Sequence, residues 1–210
     1  MPCKRVQITG LCGIKRARRG QESACLQMIF PGSNRPALIN EDSNQERCVE
    51  CDYYFAYGSN MNPARMAVRG MRYRQSLRAQ LPGWQLAFNK RAHGKEGIAY
   101  ANIVKAEHSG AEVQGVLYQL WDHREIERMD PFEGHPVRYC RERLLVQTDE
   151  GERHTWVYIA NTEWQADDLR PERWYLNHLL SGRPWLSADY YRYLLATTCV
   201  DDPPTLLTAP

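Results

Sequence analysis

The feature that most limits the fold of this chain is a series of strand patterns that follow one another with few helices between them. The candidate strands are residues 53–57, 75–81, 84–89, 97–104, 113–120, 137–148 and 154–160. Because these segments do not alternate with helices in a βαβα order, they favour the α+β class, with a curved and mainly antiparallel sheet or barrel. The last two strands flank a turn at residues 149–152 and predict a hairpin.

Most helix signals lie after the first strand and after the last one. Asn62 is a favourable N-cap, and Pro63 occupies the first helical position, where its missing N–H is tolerated. Gly70 is expected to end this helix in the left-handed conformation. Two further helices are predicted near residues 171–180 and 187–196, so helices should flank the strands.

One short helix is predicted inside the strand series. The spacing Asp122-x-x-Glu125 is that of a capping box, which predicts a helix through Met129. The dipeptide Asp130-Pro131 is expected to end this helix, because the residue before a proline disfavours the helical region.

The overall composition excludes several classes of protein. With 210 residues, 43% apolar and 25% charged, the chain has the size and balance of one globular domain. It contains no run of 18 apolar residues and no early apolar stretch of secretory length, so neither a membrane span nor a signal peptide is predicted. The formal net charge of +2 is spread over the chain and argues against a nucleic-acid partner.

The first fifty residues differ from the rest in charge balance and in periodicity. Residues 1–50 carry 8 Lys and Arg against 5 Asp and Glu, and they show little periodicity. We therefore expect residues 1–50 to be a disordered tail or a non-native extension, with a targeting peptide as the alternative. Residues 51–200 form the predicted domain, and residues 201–210 a flexible C-terminal tail.

The cysteines point to a reducing compartment. Five of the seven lie within the first 51 residues, and the odd count gives no even disulfide framework, so we expect a cytoplasmic protein. Cys48 and Cys51 have the spacing of a zinc or redox pair. A zinc site needs two more ligands, and no metal or cofactor is predicted.

A turn of small residues between the first strand and the first helix is the first candidate site. Gly58, Ser59 and Asn60 would expose backbone N–H groups next to a helix N-terminus, which suits a small anion such as a carboxylate. Taken alone, these residues fit an ordinary turn with an N-cap equally well.

A second candidate is the carboxylate of Glu133, which stands between an aromatic residue and a glycine. We expect it on a tight connection beside apolar neighbours, where partial burial would make it a usable general base. The alternative is a solvated loop glutamate. Cys140 with His135 is a weaker nucleophile and base pair, because a strand cysteine is more often a core residue.

Together the two candidate sites resemble the γ-glutamylcyclotransferase-like superfamily, also called AIG2-like. The loop "FAYGSNM" matches its Y-G-S-[NL] signature, and "MDPFEGHPVRYCRERLLV" is similar to its L-D-x-x-E-G-x-P-x-x-Y-x-R pattern, with Met129 replacing leucine. Residues 97–104, 115–120, 171–180 and 190–195 resemble further family segments. The resemblance covers about residues 52–198 and implies a small mixed, mainly antiparallel β-barrel with flanking helices.

The resemblance also implies an activity and its residues. The family cyclises a γ-glutamyl compound by intramolecular aminolysis, releasing 5-oxoproline and an amine or amino acid without a metal or cofactor. Glu133 would be the general base. The implied substrate-binding residues are Tyr57, Gly58, Ser59, Asn60, Tyr139 and Tyr175, and Arg141 would orient a carboxylate. A non-catalytic binding protein on the same barrel is the alternative. The leaving group and oligomeric state stay open, and residues 84–96 and 161–175, where family members vary, are expected to form the leaving-group pocket.

Overall fold

The protein is described here by a computed structural model, which covers residues 52–108 and 110–203. Its strands are β1 (Tyr53–Ala56), β2 (Tyr73–Pro82), β3 (Trp84–Arg91), β4 (Ala99–Lys105), β5 (Glu112–Leu120), β6 (Tyr139–Thr148) and β7 (Gly151–Ala160). The order β1-β5-β2-β6-β7 closes into a barrel. All neighbours in it pair antiparallel except β7 and β1, which are parallel. The predicted small mixed, mainly antiparallel barrel is therefore confirmed.

The remaining two strands form a separate sheet. β3 and β4 pair antiparallel with each other, from Trp84 opposite Lys105 to Arg91 opposite Ala99. Their register shifts between Ala87 and Lys90. Such an irregularity bends a strand and re-aims its side chains, and here it precedes a lysine that is almost completely buried.

In the described part of the chain, four α-helices flank the sheets, namely α1 (Pro63–Val68), α2 (Glu125–Glu133), α3 (Arg173–Leu180) and α4 (Ala188–Leu195). The start of α1 is as predicted, since the Asn62 side chain accepts a hydrogen bond from the Ala64 N–H at 3.0 Å and Pro63 is the first helical residue. Gly70 follows the helix with a φ of 69°. No helix in the described part of the chain is long and apolar enough to cross a membrane.

Helix α2 differs from the prediction, because it does not end at Asp130-Pro131. Pro131 lies inside the helix, and Glu133 is its last residue. Burial outweighs the local preference of the proline, since Ile126 and Met129 on the same helix are buried in the core. The helix ends one residue later, at Gly134, whose φ of 68° is left-handed and whose N–H donates to the Asp130 carbonyl.

The predicted capping box at the start of α2 is also wrong. The Asp122 side chain accepts from the Arg124 N–H at 2.9 Å. Glu125 points into the protein, where its side chain is completely buried and accepts from Arg72 Nε at 2.7 Å and from the Arg72 N–H at 3.2 Å. An ion pair between distant parts of the chain has thus replaced the local cap.

The chain ends are described only in part. Residues 1–50 and the Cys48/Cys51 pair lie outside the described residues, as do residues 204–210. The turn after α4 is attached to α3, because the Arg173 N–H donates to Asp201 at 2.8 Å and the Arg173 guanidinium binds both carboxylate oxygens of Asp202.

The buried Glu125 generates a stability prediction. Arg72→Met leaves this carboxylate without its principal cation, and breaking a buried pair in this way typically costs about 3–5 kcal/mol. We expect Arg72→Met to lower the free energy of unfolding by about 3 kcal/mol, measured by urea denaturation.

Arg128→Met is the matched control. Arg128 Nε lies 3.5 Å from the same carboxylate and makes no hydrogen bond to it among the described residues, whereas Arg72 donates to it through its Nε and its backbone N–H. An ion pair without a hydrogen bond and with a half-exposed cation should contribute only about 0–1 kcal/mol. Equal losses in the two variants would show that Arg72 has no special part in holding Glu125.

Candidate functional site

The loop between β1 and α1 forms one wall of the site. Residues Ser59–Met61 make a single 3₁₀ turn after Gly58. Gly58 has a φ of −112°, which other residues also adopt. It is needed for space, because a Cβ there would lie 3.2 Å from the Tyr175 hydroxyl and 3.3 Å from the Ala101 Cβ.

The backbone N–H groups at the start of the loop make no hydrogen bonds to backbone carbonyls within the described residues. These are the N–H groups of Gly58, Ser59 and Asn60. The loop therefore offers backbone donors without backbone acceptors, as its small residues predicted.

Glu133 faces this loop from the end of α2. Its Oε1 accepts from Asn60 Nδ2 and from Arg69 Nη1, both at 3.0 Å. Within the described residues no group donates to its Oε2, and the side chain is 17% exposed. The expectation of a tight connection is corrected, since Glu133 is helical, and the alternative of a solvated loop glutamate does not fit this geometry.

Asn60 is the residue that joins the loop to Glu133. Besides Glu133, its Nδ2 donates to the Tyr54 hydroxyl at 2.7 Å, and its backbone carbonyl accepts from the Tyr118 hydroxyl at 2.9 Å. Asn60 is buried, and its Oδ1 has no hydrogen-bond partner among the described residues. An unpartnered buried acceptor is unfavourable unless a ligand uses it.

A second set of contacts, made by Asp130 with residues of β6 and β7, holds α2 against the barrel. Arg141 pairs with Asp130 at 3.1 Å, and the Tyr158 hydroxyl donates to the same carboxylate at 2.6 Å. The Arg141 guanidinium also lies 5.0 Å from the centre of the Trp156 ring. Arg141 orients a carboxylate, as expected, and that carboxylate is on the helix that carries Glu133.

The three predicted tyrosines form walls of the site. The Tyr57 hydroxyl donates to the Tyr158 carbonyl, and the Tyr139 hydroxyl donates to the Ala101 carbonyl at 2.8 Å. The Tyr175 hydroxyl accepts from the Ala101 N–H at 3.0 Å. Burial raises the pKa of Tyr57, Tyr139 and Tyr175, so these hydroxyls stay neutral and do not act as bases near pH 7.

The predicted catalytic residue and the six predicted substrate-binding residues line one cavity, here called the inner cavity, whereas His135, Cys140 and Arg141 do not. The seven are Tyr57, Gly58, Ser59, Asn60, Glu133, Tyr139 and Tyr175, and Tyr54, Ala101 and Tyr158 complete the lining. A second, outer cavity of about 230 Å³ shares Ser59, Glu133, Tyr139 and Tyr175 with it. Glu133 therefore stands where the two cavities meet.

The outer cavity contains the residues that sequence reasoning missed. It is lined by the cations Arg65, Arg69, Lys90 and Arg138 and the aromatic residues Tyr100, Phe132 and Trp174, besides the four shared residues. Lys90 and Trp174 fall within segments 84–96 and 161–175, where the leaving-group pocket was expected. Arg65, Arg69 and Arg138 lie outside both segments. The spacing of four between Arg65 and Arg69 in "PARMAVRG" was a signal that could have found two of them, because it places both on one helix face.

Lys90 is the least ordinary of these cations. It is only 2% exposed, and its Nζ lies 5.2 Å from the ring centres of Tyr100 and Trp164 and 5.5 Å from that of Tyr139. Burial, and then the nearby charge of Arg138, lowers the pKa of Lys90 to about 8. Three aromatic faces thus hold the ammonium in place of a carboxylate.

Potential metal ligands lie elsewhere. In the described residues, one group of ligand atoms falls within 4.8 Å of one another, that of Cys199, Asp201 and Asp202. Asp202 is already engaged by Arg173 and by the Cys199 N–H. This group does not line either cavity.

The lowered pKa of Lys90 predicts a pH-dependent stability. The unfolded chain holds this proton up to about pH 10.5 and the folded protein only to about 8, so the charged form opposes folding. Lys90→Met should therefore be more stable than the parent protein at pH 7, and the gain should shrink as the pH rises from 8 to 10. Urea denaturation at both ends of this range measures it.

The matched control is Lys105→Met. Lys105 is an exposed residue of the same sheet, whose Nζ lies 4.0 Å from the Trp84 ring centre. If the parent protein is instead more stable than Lys90→Met at pH 7, the Lys90 side chain stabilises the fold and the prediction is wrong.

Both the sequence and the fold of this chain are similar to those of known proteins. Residues 54–177 match the family model described as "Gamma-glutamyl cyclotransferase, AIG2-like". A search of curated proteins found no significant match. Among solved structures, a protein named gamma-glutamyl cyclotransferase is 24% identical with a TM-score of 0.62, and the match covers 73% of this chain and 91% of that chain.

Two further solved structures are similar. A human protein described as uncharacterized is 24% identical with a TM-score of 0.61, covering 73% of this chain and 92% of its own. YkqA from Bacillus subtilis is 21% identical with a TM-score of 0.61, covering 71% and 56%. These likenesses show a shared fold, and the family model, which matches more than half of the sequence, goes further. The chain therefore belongs to the gamma-glutamyl cyclotransferase, AIG2-like family.

Proposed function

We propose that this protein releases 5-oxoproline from a γ-glutamyl compound by intramolecular aminolysis. The α-nitrogen of the glutamyl group forms a bond to its own γ-carbon, and the bond from that carbon to the leaving nitrogen breaks. Over the reaction the α-ammonium loses two protons and the leaving nitrogen gains two, so no net proton is released. The protein must supply a group that moves these protons.

The observation that carries the proposal is the placement of Glu133. Asn60 and Arg69 bind its Oε1, and no described residue donates to its Oε2 at the junction of the two cavities. A carboxylate with one oxygen fixed and the other open can take a proton from an ammonium and return it to a leaving nitrogen. The unpartnered Oδ1 of Asn60 offers a second acceptor that can orient the same ammonium.

The loop and the tyrosines supply the positioning. Backbone N–H groups of Gly58 and Asn60 have no backbone acceptor among the described residues, and they can donate to oxygens of the glutamyl group. Neutral tyrosine walls exclude water and hold the substrate folded. Ring closure depends strongly on such confinement, because the amine and the carbonyl belong to one molecule.

The alternative is a protein on the same barrel that binds a γ-glutamyl ligand without reacting. Such a protein needs donors for the ligand but no proton acceptor beside its amine. The arrangement of Arg69, Asn60 and Glu133 supports the enzyme, since it leaves an open carboxylate oxygen at that point.

Glu133→Gln tests the catalytic role. Glutamine has nearly the same shape and can still accept from Asn60 and Arg69 through its amide oxygen, so the fold should be preserved. It cannot take up the ammonium proton, and a positioned general base typically contributes about 10²- to 10⁴-fold. We expect the rate of 5-oxoproline release from a γ-glutamyl amino acid to fall at least about 100-fold.

Glu142→Gln, an exposed change of the same kind on β6, is the matched control and should keep the parent rate. Circular dichroism checks the fold of both variants. A folded Glu133→Gln protein with most of the parent rate would remove Glu133 from catalysis. A parent protein that binds γ-glutamyl compounds but releases no 5-oxoproline would favour the binding protein.

Gly58→Ala tests the role of the loop. The new methyl group presses on the Tyr175 hydroxyl and on Ala101, which displaces the cavity wall by a few tenths of an ångström. Small misplacements of positioning groups can lower rates by up to about 100-fold. We expect kcat/KM to fall about 10-fold, while the loss of stability stays near 1–3 kcal/mol, the range typical of overpacking.

Tyr175→Phe combined with Gly58→Ala completes this experiment. Removing the hydroxyl relieves one of the two close contacts, so the stability loss of the double variant should be smaller than the sum of the single losses. If the stability losses are additive, contact with the Tyr175 hydroxyl is not what makes Gly58→Ala unfavourable.

A further inference from the structure

The outer cavity has an excess of positive charge. Its lining contains four cations and one acid, Glu133, and that acid is paired with Arg69. Arg65, Lys90 and Arg138 make no ion pair and no side-chain hydrogen bond within the described residues. Three cations thus line one small space in which the one acid, Glu133, is already paired with Arg69.

Burial makes this arrangement unfavourable for the protein alone. Lys90 is 2% exposed, and the Nε of Arg65 is buried without a hydrogen-bond partner. Buried charges are normally paired, because their desolvation is not otherwise compensated. The rings around Lys90 favour a cation but leave its charge unneutralised. An anionic ligand would satisfy all three groups.

The position of the outer cavity indicates which part of a ligand it receives. On the proposed function, one end of the glutamyl group reaches the inner cavity beside the Gly58 loop, where about 30 Å³ is free, and its γ-carbonyl lies near Glu133. The leaving half must then extend past Glu133 into the outer cavity. At about 230 Å³ the outer cavity is smaller than the ~300–1,000 Å³ of typical drug-sized sites, so it fits a small leaving group.

We propose that the leaving half of the substrate carries a carboxylate, which Arg65, Lys90 and Arg138 bind in the outer cavity. The substrate class is then γ-glutamyl amino acids and short γ-glutamyl peptides. A γ-glutamyl diamine, whose leaving half ends in an ammonium, is disfavoured because it meets three like charges. This inference rests on the proposed function, but it makes a separate claim about charge.

The decisive measurement compares substrates that differ in one group. γ-Glutamyl-alanine and γ-glutamyl-ethylamine share the reacting amide and the carbon chain, and only the first has a leaving-group carboxylate. γ-Glutamyl-1,2-diaminoethane has the two-carbon chain of the ethylamine and carries a cation in place of the carboxylate. We expect kcat/KM for 5-oxoproline release to be at least about 10-fold higher for γ-glutamyl-alanine than for the ethylamine, mostly through KM, since 1.4 kcal/mol of binding is a factor of ten. The diamine should be the poorest substrate.

Variants assign the preference to the cavity. Lys90→Met and, separately, Arg138→Met should lower the ratio of the two kcat/KM values, alanine over ethylamine, by several-fold. Lys105→Met removes an exposed lysine outside the outer cavity and should leave both the ratio and the activity unchanged. A ratio that no cavity variant changes would overturn the assignment.

The outcomes separate this inference from the proposed function. If all three compounds release 5-oxoproline with equal kcat/KM, or the diamine is preferred, the carboxylate proposal is wrong and the cyclising activity stands. If none releases 5-oxoproline, the proposed function fails, and calorimetry with the same compounds decides the remaining point. Tighter binding of γ-glutamyl-alanine than of γ-glutamyl-ethylamine would still support the carboxylate site, and equal affinity would overturn it.

Discussion

The hydrogen bonds from Asn60 and Arg69 to one oxygen of Glu133 connect the two parts of the chain that make the site. Asn60 belongs to the turn after β1, Arg69 to the end of α1, and Glu133 to the end of α2, more than sixty residues away. Both donors reach the same oxygen, so the other oxygen has no donor among the described residues. The position of the loop and the direction of the carboxylate therefore depend on each other.

The barrel supports this contact from both sides. β1 lies between β5 and β7, which holds the start of the loop in the middle of the closed sheet. α2 is held against the same barrel by Asp130, which contacts Arg141 of β6 and Tyr158 of β7. Because a closed barrel has no free edge along which strands can slip, the two anchors keep a fixed separation.

The sequence predicted the barrel well, because the alternation of strand residues and the turns between them are local properties. It predicted the N-cap at Asn62 and the end at Gly70 for the same reason. Gly58, Ser59, Asn60 and Glu133 were candidates from their local pattern, but the loop residues fitted an ordinary turn equally well, so their roles, and the three tyrosines, came from resemblance to a family. Their common cavity is a property of the fold.

Two kinds of feature escaped prediction, and both arise from contacts between distant segments. Pro131 suggested the end of a helix, yet burial of Met129 and the ion pair of Asp130 keep the helix going to Glu133. Lys90 had the pattern of an ordinary strand residue, and only the irregular register before it and three rings from β4, β6 and the turn after β7 make it a buried cation.

Unsatisfied polar groups connect the stability of this protein with its chemistry. Of the four buried side-chain atoms without a partner in the described residues, two belong to Asn60 and Arg65, which line the inner and outer cavities. Lys90 adds a buried charge that lacks an anion. Each of these groups weakens the folded state, and each faces the space that a substrate would fill. A folded chain tolerates such groups at a site where a ligand pairs with them, which explains why the unpartnered atoms of Asn60 and Arg65 and the charge of Lys90 lie at the two cavities.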